Sequence, residues 1–133
     1  MLNKILVIDE DVTSNLIFSK LANSVKFAKE ITTYISALDA LEYFKDAVKT
    51  QEDLPAAIFL DIKMPIMNGW EFLQEFNKLF PALAKQIPVY ILSSSDNEND
   101  FQKARSFGNI KKYIVKPLSI KMLKELKLQL TEA

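Results

Sequence analysis

Five short apolar runs, each ended by a polar residue and each followed by a helical stretch, constrain this chain more than any other feature. They are Lys4-Ile5-Leu6-Val7-Ile8, Ile31-Thr32-Thr33-Tyr34-Ile35, Ala56-Ala57-Ile58-Phe59-Leu60, Pro88-Val89-Tyr90-Ile91-Leu92 and Lys112-Tyr113-Ile114-Val115. The first and third lack the apolar/polar alternation of a half-solvated strand, so they read as strands buried on both faces. The segments between them have helical spacing. Leu16, Ile17, Leu21, Ala22 and Val25 form the inward stripe of the first helix; Leu38, Leu41, Phe44 and Val48 form that of a helix from Leu38 to Val48. A third helix runs from Gly69 to Phe80 on Phe72, Leu73, Phe76 and Phe80, with Pro81 near its end. A fourth runs from about Glu98 to Phe107, with Gly108 as a left-handed C-cap. The last reaches about Leu130 with Ile120, Leu123, Leu126 and Leu130 inward, leaving Lys121, Lys124 and Lys127 as a solvated ridge. Strand and helix alternating five times, without repeat or linker, predicts one parallel sheet covered by helices on both faces and joined by right-handed crossovers. The 133 residues then form one domain with a core of useful size.

In such a sheet the carboxyl ends of all strands share an edge, and that edge is where open α/β sheets bind ligands. Asp9-Glu10-Asp11 follows the first strand, Asp61 the third, Ser93-Ser94-Ser95-Asp96 the fourth and Lys116-Pro117 the fifth. Singly, each has an ordinary reading. A strand-end aspartate caps a turn, a serine cluster caps a helix, and acids favour a helix N-terminus. Together they bring acids, a hydroxyl and an ammonium to one edge. Asp61 then reads as the reactive residue. Three successive carboxylates also repel one another unless solvated or holding a cation, with Asp11 or Thr13 free to cap the helix.

Composition removes the competing chemistries. There is no cysteine and no histidine, so thiolate catalysis, disulfides, an imidazole base and a histidine phosphocarrier are absent. The 17 basic and 17 acidic residues cancel, so no bulk field draws the chain to nucleic acid or a membrane. No apolar stretch is long enough to span a bilayer and none resembles a signal peptide, so a cytoplasmic protein is expected.

The acidic pair Asp9-Glu10, the loop Asp61-x-x-Met64-Pro65-x-Met67-Asn68-Gly69, Ser93 and Lys116-Pro117 stand in the order and spacing of a known family. Over nearly its whole length the chain resembles a response regulator receiver domain of two-component signalling, of the stand-alone, chemotaxis-regulator-like kind. The resemblance implies a flavodoxin-like, doubly wound five-stranded sheet of order 2-1-3-4-5 with five helices. It implies that Asp61 accepts a phosphoryl group from a sensor histidine kinase or a histidine phosphotransfer protein. It further implies Mg²⁺ held by Glu10, Asp61 and the carbonyl of Lys63, with Asp9 helping through water. Lys116 and Ser93 would bind the phosphoryl group, small Ser94 would leave its path open, and Tyr113 would report a repacking of the face made by the fourth helix, fifth strand and fifth helix. The Lys116-Pro117 bond would be cis. Lys63 and Ser95, two residues beyond the aspartate and the hydroxyl, would set the phosphoryl lifetime, and a long lysine with no positioning carboxylate predicts slow hydrolysis.

The protein is therefore expected to be a signalling phosphoacceptor rather than an enzyme acting on other substrates. An output domain beyond the last helix is not expected, and an unknown downstream protein effector is, without direct nucleic-acid or membrane binding. A haloacid-dehalogenase-type phosphatase would need a second acid where Lys63 stands, and a dinucleotide site would need closer glycines than Gly69 and Gly108. A pseudo-receiver that binds proteins without phosphorylation is the alternative, and the presence of every pocket group argues against it.

Overall fold

The computed structural model describes residues 1–50 and 53–132; Gln51 and Glu52, in the polar loop expected before the third strand, lie outside the described residues. In chain order the elements are β1 (Leu2–Ile8), α1 (Val12–Ser24), β2 (Ala28–Tyr34), α2 (Ala37–Thr50), β3 (Ile58–Leu60), α3 (Gly69–Leu79), α4 (Pro81–Gln86), β4 (Val89–Ser93), α5 (Glu98–Arg105), β5 (Ile110–Val115) and α6 (Ile120–Glu132). The strands form one parallel sheet in the order β2-β1-β3-β4-β5, as expected.

The central strands divide their side chains between two cores. Leu6, Ile8, Ile58, Leu60, Val89 and Ile91 meet α2 and α3 on one face. Ile5, Val7, Phe59, Tyr90 and Leu92 meet α1 and α6 on the other. Both sides of the period-two pattern are buried, which is why these runs show no polar alternation. Phe59 anchors the second core, 5.0 Å from Phe18 and stacked on Tyr90 at 5.3 Å.

Among the described residues there are six helices rather than five. Pro81 does not merely follow the third helix: it opens the short α4 after Phe80. Proline suits that first turn because the missing N–H has no intrahelical acceptor there. The expected left-handed cap at Gly108 is absent, since no glycine has positive φ and α5 closes on Ser106 in a right-handed conformation.

Three inward stripes are corrected. In α1 the buried residues are Asn15, Phe18 and Ala22, while Leu16 and Ile17 stay 55% and 54% exposed. The phase is set by the Asp11 cap and by the Asn15 side chain, whose amide donates to the Asp9 carbonyl at 2.9 Å. In α2, Leu38 and Val48 are exposed and Ala37, Ala40 and Ala47 are buried beside Leu41 and Phe44. Small side chains there allow the helix axis close to the sheet. In α6, Ile120 is exposed, and Lys127 is drawn from the expected solvated ridge to donate to the Val25 carbonyl at 3.1 Å.

Candidate functional site at the carboxyl edge of the sheet

Asp9 leaves β1 with its N–H on the Tyr34 carbonyl, and the residue is 3% exposed. One carboxylate oxygen, Oδ1, accepts the Asp11 N–H at 2.9 Å, and the other, Oδ2, receives Lys116 Nζ at 2.7 Å. Asp11 is the helix cap, accepting the N–H groups of Thr13 and Ser14. Glu10 lies exposed between them.

Asp61 follows β3, with its N–H on the Ile8 carbonyl and its Oδ1 accepting the Ile62 N–H at 2.9 Å. Partial burial and then the Asp9 charge push its carboxyl up to about 6, while Lys116 and the Ile62 amide hold it back. A carboxylate already in repulsion with its neighbour is an environment in which added positive charge is favourable.

The loop after Asp61 is tightly wound. Ile66 has φ of 71° in a three-residue turn closed by Met67 N–H on the Pro65 carbonyl, and its side chain is 90% exposed. A β-branched residue there stores strain. Asn68 then caps α3 through a capping box with Glu71. Gly69 permits close approach: a Cβ there would lie 2.5 Å from the Asp61 carbonyl oxygen.

Ser93, fully buried, ends β4 with its Oγ accepting the Ser95 N–H at 3.1 Å. Its own hydroxyl proton remains available as a donor. The Lys116–Pro117 bond is cis, and the Lys116 N–H meets the Ser93 carbonyl at 2.8 Å. The sheet edge thus gathers Asp9, Asp61, Ser93 and Lys116, with Lys116 bonded to Asp9 rather than to Asp61. Among the described residues no group of three or more acidic side chains is arranged to hold a metal ion, and Glu10 is exposed. Mg²⁺ binds through one or two carboxylates and keeps its waters, so it needs no third acid at this edge.

Tyr113 extends from β5 so that its hydroxyl donates to the Ser95 carbonyl at 2.8 Å, with its ring edge-on to Phe101 at 4.7 Å. Lys63 is exposed and makes no ion pair among the described residues. Ser95 Oγ donates to Asp100 at 2.6 Å, so the carboxylate that Ser95 itself lacks stands beside it on α5. Asn15, Asp100 and Phe101 were missed as supports of the site. Only Asn15 carried a signal: it lies on the same helical face as Phe18 and Ala22, a polar residue in an inward stripe.

The model of the response regulator receiver domain matches residues 5–127. Protein PilG of Pseudomonas aeruginosa is 33% identical over 118 residues, covering 87% of this chain and 78% of that protein. Among solved structures, a two-component response regulator from Cytophaga hutchinsonii superposes with a TM-score of 0.91 at 26% identity, covering 99% of this chain and 98% of that one. A response regulator receiver protein from Dyadobacter fermentans gives a TM-score of 0.79 at 27% identity, covering 96% and 97%. No helix among the described residues is long and apolar enough to cross a membrane.

Proposed function

Because this chain belongs to the response regulator receiver family, a family of phosphoacceptor signalling proteins, we propose that Asp61 is its phosphoacceptor and that a histidine kinase or histidine phosphotransfer protein is the donor. The observation that carries this reading is Asp61 itself, raised to about 6 by burial and by Asp9 while standing one ammonium away from neutrality. In the transfer, an Asp61 oxygen attacks phosphorus in line and the donor imidazole leaves. Charge on the equatorial oxygens must then be neutralised. Lys116 supplies an ammonium and the Ser93 hydroxyl a donor to those oxygens. Glu10, Asp61 and the Lys63 carbonyl are the groups that would hold Mg²⁺, with Asp9 helping through water. When bound, that cation would share the neutralisation of the phosphoryl oxygens.

The phosphoryl group draws Ser93 and Lys116 towards Asp61. Moving Ser93 loosens its bond to the Ser95 N–H, and Ser95 is the residue whose carbonyl holds Tyr113. The output is a repacking of α5, β5 and α6, with a downstream protein as its reader and the cytoplasm as its compartment. Lys63 lies free to cover the phosphoryl group and slow its hydrolysis.

The test is mass spectrometry after incubation with acetyl phosphate and Mg²⁺. Wild type should gain one phosphoryl group per chain and Asp61→Asn none. A gain in the variant, mapped by peptide digestion to another residue, would refute the assignment.

A further inference from the structure

A cavity of about 740 Å³ lies at the amino ends of β4 and β5, the edge of the sheet opposite Asp61. Four chain segments wall it: the end of α3, the extra helix α4, the Ile87-Pro88 link into β4 and the turn from Gly108 into β5. Two of these are pinned to the sheet, since the Ile58 N–H donates to the Pro88 carbonyl at 3.0 Å and the Val89 N–H to the Asn109 carbonyl at 2.9 Å. The cavity is therefore preformed, as ligand sites usually are. Its lining is divided by chemistry. Pro81, Ala84, Ile87 and Pro88 supply apolar surface, Lys85 and Lys111 supply positive charge, and no acidic residue lines it. Neither lysine has an ion pair among the described residues. Asn77 and Asn109 pair across the cavity lining through their amides, Asn109 Nδ2 donating to Asn77 Oδ1 at 2.8 Å and Asn77 Nδ2 to Asn109 Oδ1 at 3.5 Å. Each amide keeps a second N–H that makes no bond among the described residues.

We propose that this cavity binds a small amphipathic organic anion, its charged oxygens on Lys85, Lys111 and the spare amide N–H groups, and its apolar body on Pro81, Ala84, Ile87 and Pro88. Two uncompensated cations name the sign of the ligand, and the apolar walls require a body behind the charge. A metal ion is disfavoured because the lining offers no carboxylate, thiolate or imidazole. An inorganic anion would leave the apolar walls in water. The volume falls within the range of about 300–1,000 Å³ in which small-molecule sites lie, enough for a body of one or two rings. Gly108 gives a way to fill the cavity without touching its charge. It lines the cavity, has no positive φ, and a Cβ there would meet nothing within 4 Å. The proposal does not rest on the receiver reading, since none of these groups belongs to the carboxyl edge.

The probes share one ring system: 1-naphthoate, 1-naphthylphosphonate and the neutral 1-naphthamide, with inorganic phosphate as a head group alone. Each is titrated into the isotope-labelled full chain and followed by amide NMR shifts. At least one of the two anionic probes is expected to saturate a single site with Kd below about 1 mM and to shift Ala84, Gln86, Gly108 and Asn109; the tighter of the two names the head group. Naphthamide and inorganic phosphate are expected to bind at least about tenfold more weakly. The same loss is expected for the anionic probe on Lys85→Glu/Lys111→Glu, whose two positions are exposed and tolerate the change, and on Gly108→Leu. Asp61→Asn is expected to bind as wild type does. No saturation, equal binding of naphthamide, equal binding to both variants, or shifts centred on Ser94 and Lys116 with loss in Asp61→Asn would overturn the proposal. Inorganic phosphate binding as tightly as the phosphonate would overturn it too, reducing the site to an adventitious ion only. Phosphoryl gain from acetyl phosphate, measured on the same samples, tests the receiver reading separately.

Discussion

Replacing Asp61 with asparagine should stabilise the protein, by an amount that depends on pH. The side chain keeps its shape and its Oδ1 acceptor for the Ile62 N–H. What disappears is a charge that burial first, and the Asp9 carboxylate second, make unfavourable in the folded state. The carboxyl stands at about 6 when folded and at 3.8 in its ordinary state, so the folded chain takes up the proton first as pH falls. Ionised Asp61 therefore costs stability in full above about pH 6, and the cost fades as pH falls towards 3.8. The displacement corresponds to about 3 kcal/mol. Asp61 is only partly buried, and solvent screening reduces this to about 1–2 kcal/mol. For a chain of this length that is about 4–7 °C in Tm. Thermal unfolding followed by circular dichroism in EDTA, from pH 4 to pH 8, should show the full gain for Asp61→Asn at pH 8 and only about 1 °C near pH 4. A variant no more stable than wild type at pH 8, or a gain that does not change with pH, would show that Asp61 is not held in a repulsive site.

Gly69→Ala should cost about 1–3 kcal/mol in urea denaturation, since its Cβ would meet backbone atoms, the Asp61 oxygen at 2.5 Å and Ile62 Cα at 2.9 Å. Gly108→Ala, with nothing within 4 Å, should stay within about 0.5 kcal/mol of wild type, and equal losses at both positions would contradict the close-approach argument. Tyr113→Phe removes the bond to the Ser95 carbonyl and should cost about 1 kcal/mol in the same assay; an unchanged midpoint would mean that the hydroxyl is not held there. Lys63→Asn should dephosphorylate faster than wild type in Mg²⁺, and an equal or slower loss removes the lysine shield.

The sheet was legible because its strands are buried on both faces, so Ile5 to Ile8 and Ile58 to Leu60 appear as unbroken apolar runs that few other structures accommodate. The helices were less legible because apolar periodicity weights large side chains. Leu16 and Ile17 outweigh Asn15 on any hydrophobic scale, yet the sheet takes Asn15, whose amide satisfies a buried carbonyl of Asp9. Leu38 and Val48 outweigh Ala37 and Ala40, yet closeness to the sheet favours the alanines. A polar group that completes a hydrogen bond, or a methyl that permits approach, has no signature in hydropathy.

The same distinction separates membership of the site from its wiring. Topology alone brings every strand's carboxyl end to one edge, so Asp9, Asp61, Ser93 and Lys116 could be named from their positions after apolar runs. Which of them pair depends on side-chain reach across 107 residues of sequence, and there the ammonium of Lys116 lies on Asp9 at 2.7 Å instead of on Asp61. That pairing has a consequence for switching. Two carboxylates share one ammonium, so Asp61 is left under-neutralised, which agrees with its rise to about 6. A phosphoryl group on Asp61 carries more charge than the Asp9 carboxylate and offers three oxygens. Lys116 would therefore transfer from Asp9 to the phosphoryl group, and because its N–H is bonded to the Ser93 carbonyl, β4 and β5 would feel the same pull. The resting ion pair would then be the restraint that a phosphoryl group on Asp61 has to overcome.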